Sequence, residues 1–230
     1  MDLEILPVKS LPEYDVEKLK KLHINLPKPP FLGILQGSVR SGKSNLVMNL
    51  IYNKHFYRGI FDRIFYISPT VNNDLTLQFL KNDEDVDKIT DNLDDIDDIV
   101  KEIVNHKKED EELKEEQWLF VLDDMIGLIK NKGYISSYAT KFRHDKNSLI
   151  FLSQNFRSIP PIIRVNAGWY CIWKTTNHKE YSKIEDEFSS LFPNFIQLYN
   201  ESTDKPYNFL FLDLKKIKAY HNFNKLLYSK

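Results

Sequence analysis

Phe31–His55 reads FLGILQGSVRSGKSNLVMNLIYNKH, and the order of its three parts decides the fold. FLGILQG (Phe31–Gly37) is a continuous apolar run closed by glycine, as expected of a strand buried on both faces of a parallel sheet. GSVRSGKS (Gly37–Ser44) fits the spacing G-x-x-x-x-G-K-[ST]. The residues after it put Leu46, Val47, Leu50 and Ile51 on one face of a helix. A strand, a glycine-rich loop and a helix together aim backbone N–H groups and a helix N-terminus at phosphate oxygens. On this reading Gly37, Ser38, Val39, Arg40, Ser41, Gly42, Lys43, Ser44 and Asn45 hold ATP. Lys43 is expected to reach the β- and γ-phosphates, and the Ser44 hydroxyl to ligate Mg²⁺. A glycine-rich turn without a ligand is the competing reading, and the strand before and helix after speak against it.

The same pattern repeats outward from this core. RIFYISP (Arg63–Pro69), WLFVLDD (Trp118–Asp124), SLIFLSQ (Ser148–Gln154) and AGWYCIW (Ala167–Trp173) are short apolar runs separated by helical stretches. They predict an α/β fold, a P-loop NTPase with a mainly parallel sheet, helices on both faces, and an extra strand, RIFYISP, between the Walker A and Walker B strands. A helix is expected near His178–Phe188 and a last strand at Tyr207–Leu214. In such sheets ligands bind at the carboxyl ends of the strands.

FVLDD sets two carboxylates at one of these ends. Asp123 is the expected Walker B acid in the Mg²⁺ shell. Asp124 stands where P-loop ATPases with an extra strand carry the carboxylate that orients the attacking water. Most use Glu there, one methylene longer, and a helix-capping Asp is the alternative. Gln154 closes the fourth strand, where its amide can meet both the γ-phosphate and that water; Asn155 beside it is ambiguous. For the charge that develops on the γ-phosphoryl group the candidate guanidiniums are Arg143, Arg157 and Arg164. Arg143 precedes its strand, so it is expected at the far end of the sheet from its own P-loop, where it could serve a neighbouring subunit.

Composition bounds the rest. Apolar residues make up 42% of the 230, enough for a sizeable core, and no run is long enough to span a membrane. The first residues lack the basic and apolar regions of a secretion signal. Cys171 is the only cysteine, which excludes an intrachain disulfide and suits a reducing compartment; inside AGWYCIW it reads as a buried structural thiol. The net charge of −1 hides an asymmetry: residues 83–116 carry sixteen acidic and five basic residues, leaving 27 basic and 17 acidic elsewhere. A basic body remains compatible with DNA. The organisation expected is an N-terminal arm over residues 1–27 and a single P-loop ATPase domain over 28–230. That domain includes an acidic, mostly helical insertion at about 83–116, with Val86, Ile89, Leu93, Ile96, Ile99, Val100 and Ile103 at helical spacing. It ends in a strand/helix extension at about 176–230.

GSVRSGKS, FYISPT (Phe65–Thr70), FVLDD and KFRHDKNSLIFLSQNFRSIPPIIRVNA (Lys141–Ala167) together resemble the poxvirus-type DNA-packaging ATPases of the FtsK–HerA superfamily, which occur in large cytoplasmic DNA viruses and virophages. The resemblance covers residues 28–175. It implies a hexameric or pentameric ring that pumps double-stranded DNA into a preformed capsid in the host cytoplasm, at a viral factory, with capsid proteins as partners at a packaging vertex and an association with the virion. It also implies that Arg143, eleven residues before Gln154, is the finger acting in trans, with Arg164 the alternative. Lys130, Lys132, Lys215, Lys216 and Lys218 are candidates for gripping DNA phosphates, against the plainer reading of a solvated surface. Other readings are a different translocase or helicase of the superfamily, a small-molecule kinase, and a nucleotide-binding module without turnover.

Overall fold

The structure, a computed structural model, describes residue 3 and residues 25–70, 75–82, 86–89 and 93–230. Most of the arm expected over residues 1–27 and parts of the acidic segment lie outside the described residues. The strands are β1 (Leu32–Gln36), β2 (Arg63–Ile67), β3 (Val86–Ile89), β4 (Trp118–Asp123), β5 (Asn147–Ser153), β6 (Trp169–Trp173), β7 (Phe209–Asp213), β8 (Lys218–His221) and β9 (Lys225–Ser229). Among the described residues they form one sheet in the order β3-β2-β4-β5-β1-β6-β7-β8-β9. Pairing is parallel from β3 through β6 and antiparallel from β6 through β9.

Each residue of β1, β4, β5, β6 and β7 is buried, which requires cover on both faces. Alternation along β1 shows the two layers. Leu32 and Ile34 join a core with α2 (Ile96–Glu109), α4 (Pro161–Asn166), α5 (His178–Phe188) and α6 (Phe195–Ser202), through Val100, Ile163, Ile184 and Leu198. Leu35 faces the other way, into a core with Leu46, Val47 and Leu50 of α1 (Lys43–Tyr52). The short α3 (Tyr134–Tyr138) joins the first core. Cys171 is buried in the second, its thiol pKa pushed up by burial, as a structural thiol requires. Leu26 lies in that core too, and the Tyr57 hydroxyl donates to the Pro27 carbonyl at 2.7 Å.

Two expectations are corrected. Val86 and Ile89 do not open a helix; they form β3, in register from Ile64↔Val86 to Ile67↔Ile89. Their spacing of three imitates a helix. In its place β3 hydrogen-bonds the flank of β2, whose backbone groups would otherwise lack strand partners. Among the described residues the α-helix of the acidic segment is α2, where Ile96, Val100 and Val104 are buried, with short 3-10 turns at Leu93–Asp95 and Leu113–Glu115. The C-terminal extension holds three antiparallel strands rather than one, together with α5 and α6.

Because β4, β5, β1 and β6 run parallel, their carboxyl ends share one rim. Their amino ends share the opposite rim, with the turn Phe142–Asp145 before β5, α4 before β6, and the β7–β8 connection, since Asp213 pairs with Trp169.

Candidate active site at the carboxyl rim

The loop after β1 is built on glycine where nothing larger fits. A Cβ on Gly37 would lie 2.6 Å from Ser41 Oγ and 2.9 Å from Trp173 Cβ. Gly42 adopts φ +106, a left-handed conformation, as N-cap of α1. Gly37 N donates to the Ser153 carbonyl at 3.1 Å, which ties the loop to the end of β5. Ser41 Oγ in the loop and Gln36 Oε1 just before it are buried without a hydrogen-bond partner among the described residues. Buried polar atoms of this kind fit a place that receives a polar ligand.

Lys43 is buried, and its ammonium donates to the carbonyls of Gly37 (2.7 Å) and Ser38 (3.0 Å). Burial lowers its pKa, and the charges of the Asp124 and Asp123 carboxylates act in the opposite direction. Asp123 ends β4, buried, and accepts a 2.7 Å hydrogen bond from the Tyr66 hydroxyl of β2. Asp124 turns out of the strand at φ +55, a conformation Asp tolerates better than most side chains. Its Oδ2 accepts from Gln154 Nε2 at 2.9 Å, bridging the ends of β4 and β5. Phe156 N donates to the Glu180 carboxylate of α5 at 2.8 Å, anchoring the chain beyond Gln154. Asn155 accepts from Arg157 N at 3.0 Å and caps the turn Phe156–Ser158.

Lys43, Asp123, Asp124 and Gln154 are thus brought together. Tyr66 and Glu180 escaped the sequence reading. Tyr66 stood in the plain view of a buried strand, whereas Glu180 had no local signal. For Mg²⁺ the donors available are hard oxygens, the Ser44 hydroxyl and the Asp123 carboxylate. Among the described residues no cluster of three or more His, Cys, Asp or Glu could cage a metal. Two protein oxygens completed by phosphates and water are what Mg²⁺ accepts.

Of the candidate arginines, Arg157 stays at this rim, exposed on the turn Phe156–Ser158 just after Gln154, whereas Arg143 and Arg164 lie elsewhere. Arg143 is exposed on the amino-rim turn, its guanidinium carbon 4.9 Å from the centre of the Phe142 ring. That turn is clamped by Lys107 of α2, whose buried ammonium donates to the carbonyls of Glu116 and Asp145 and to Asn147 Oδ1, each at 2.7 Å. The Trp118 ring lies 4.7 Å from the same nitrogen. Burial lowers the Lys107 pKa to about 8, against the opposing pull of Asp145 and Glu116. Tyr138 donates to Asp145 at 2.9 Å and Lys108 pairs with it at 3.0 Å. Arg164, also toward the amino rim, is held at 2.7 Å by Glu187 and is mostly buried. Lys215 and Lys216 sit in the β7–β8 connection, where both backbone amides bond to Asp213. Lys130 and Lys132 are exposed on the connection leaving the end of β4.

A parallel sheet with this loop after β1, an acid pair after β4 and an amide after β5 is that of a P-loop NTPase. Within that class the chain belongs to the poxvirus A32 protein family, whose sequence model matches residues 19–220. Solved structures similar in fold include the genome packaging NTPase B204 of Sulfolobus turreted icosahedral virus 2. With ATP-γS it has a TM-score of 0.59 and 18% identity, covering 84% of this chain and 96% of that one. With AMPPCP the TM-score is 0.62 at 18% identity, covering 89% and 100%. The pCW3 conjugation coupling protein TcpA with ATPγS follows at 0.53 and 14% identity, covering 80% of this chain and 57% of that one. No curated protein sequence matches the chain. Among the described residues no helix is long and apolar enough to cross a membrane.

Proposed function

We propose that this chain is the ATPase of viral genome packaging, hydrolysing MgATP to drive double-stranded DNA into a preformed capsid. The observation that carries the reading is the Gln154–Asp124 hydrogen bond, set across two adjacent strand ends at the rim where the Lys43 loop also lies. Membership in the A32 family and the fold shared with a genome packaging NTPase support it.

In this mechanism the loop amides and Lys43 hold the triphosphate. The Ser44 hydroxyl and the Asp123 carboxylate would hold Mg²⁺, which would offset negative charge on the triphosphate. Asp124 accepts a proton from the attacking water as general base, and Gln154 positions that water against the γ-phosphorus. Tyr66 fixes the Asp123 carboxylate. Arg143 lies on the rim opposite its own loop, so it serves the γ-phosphate of a neighbouring copy, which makes the working unit a ring of this chain. Arg164 is committed to Glu187 and is set aside. The ring acts in the host cytoplasm and docks on capsid proteins.

ATP hydrolysis by the purified protein is to be measured with and without duplex DNA and with EDTA. The reading expects Mg²⁺-dependent turnover raised by duplex and no strand displacement. Duplex unwinding would favour a helicase, phosphate transfer to a small acceptor a kinase, and nucleotide binding without turnover a silent module.

A further inference from the structure

We propose that Tyr207 stacks against the base of the bound nucleotide, so that the β6–β7 end of the carboxyl rim is the nucleoside subsite. The proposal rests on the reading of Gly37–Ser44 as the triphosphate site and deepens it.

The order of strands gives the direction. Asp123, Asp124 and Gln154 come from the ends of β4 and β5, which lie on one side of β1. A triphosphate on the loop with its γ-end toward those groups turns its α-phosphate, and the nucleoside beyond, to the other side of β1. There the sheet continues as β6 and β7. Tyr207 stands two residues before β7, whose first residue, Phe209, pairs with Trp173 at the carboxyl end of β6.

Tyr207 is built for contact at this place. A Cβ on Gly42 would lie 3.5 Å from Tyr207 Cδ1, so the ring rests within van der Waals reach of the loop's last glycine. The residue is nevertheless 72% exposed, an aromatic face left to solvent beside the helix N-terminus. Its backbone takes φ +68, which a residue with a bulky side chain seldom adopts. The conformation is pinned from below: Trp173 Nε1 donates to the Tyr207 carbonyl at 3.0 Å. The same tryptophan packs under Gly37, so one buried indole shapes the phosphate loop and presents the tyrosine beside it. An exposed ring contributes little to the core; stacking on a flat heterocycle is the interaction it can supply, and every base offers that face.

Isothermal titration with MgATP and with magnesium tripolyphosphate, which has no base, separates the subsites. Tyr207→Ala is expected to bind ATP about tenfold more weakly, Tyr207→Phe and Tyr207→Trp to bind it like the parent, and all four proteins to bind tripolyphosphate alike. Unchanged ATP affinity in Tyr207→Ala overturns the proposal. So does an equal loss of tripolyphosphate affinity, which would make the ring a support for the loop. If the parent protein binds neither ligand, the phosphate site itself is refuted, and the subsite with it.

Discussion

At the carboxyl rim the chemical groups follow their strands closely: Asp123 closes β4, Gln154 follows β5 at once, and Lys43 opens the helix after the glycine loop that leaves β1. At the amino rim Arg143 rides on a turn held by an amine from α2, by Tyr138 and by Lys108. The first arrangement follows from where strands stop, so its side chains can be changed at the expense of chemistry. The second is a junction of separate elements, so altering its clamp disturbs the fold before it reaches the chemistry.

That contrast can be broken by experiment. Lys43→Ala should abolish ATP turnover and weaken nucleotide binding, with a melting temperature shifted by no more than about 2 °C, since the lysine contributes chemistry rather than core. Arg143→Ala should slow turnover by about 10³-fold while leaving nucleotide affinity intact. Mixing it with Lys43→Ala subunits should restore part of the activity, and no recovery at any mixing ratio would refute the trans role. Asp124→Asn should keep nucleotide binding and lose about 10²-fold in turnover; a fully active variant would leave this aspartate a structural cap.

Lys107→Ala tests the other rim. It leaves one buried and two partly buried acceptors without their donor and should destabilise the chain by about 2–4 kcal/mol in denaturant unfolding. A loss confined to activity would contradict the clamp. The smallest effect is one of pH. With its pKa lowered from 10.5 to about 8, Lys107 carries fewer protons folded than unfolded between those values. Stability from this group therefore rises with pH across that window. The stability-against-pH slope of the parent should exceed that of Lys107→Met there, and equal slopes would show that the amine is not shifted.

The carboxyl rim was legible because a buried strand followed by a polar residue is a local pattern. FVLDD and SLIFLSQ announce their contents, and β1, β2, β4, β5, β6 and β7 fall where apolar runs stand. The edge strand β3 was hidden because VDKI has the spacing of the helix that follows. β8 (KAYH) and β9 (KLLYS) are short mixed runs set among lysines and asparagines, and they read as a tail. Lys107 had a faint signal: it continues the face Ile96, Val100, Val104, a charged residue on an apolar stripe. Its three acceptors, drawn from two other segments, had none. The tie between Arg164 and Glu187 was equally silent, since it depends on how α4 and α5 meet.

Trp173 has a practical use. Of the three tryptophans, Trp118 and Trp169 begin β4 and β6 at the amino rim, and Trp173 alone abuts the glycine loop. The protein therefore carries a built-in optical probe beside the loop, and a change of indole emission on adding nucleotide is the expected sign that the loop is occupied.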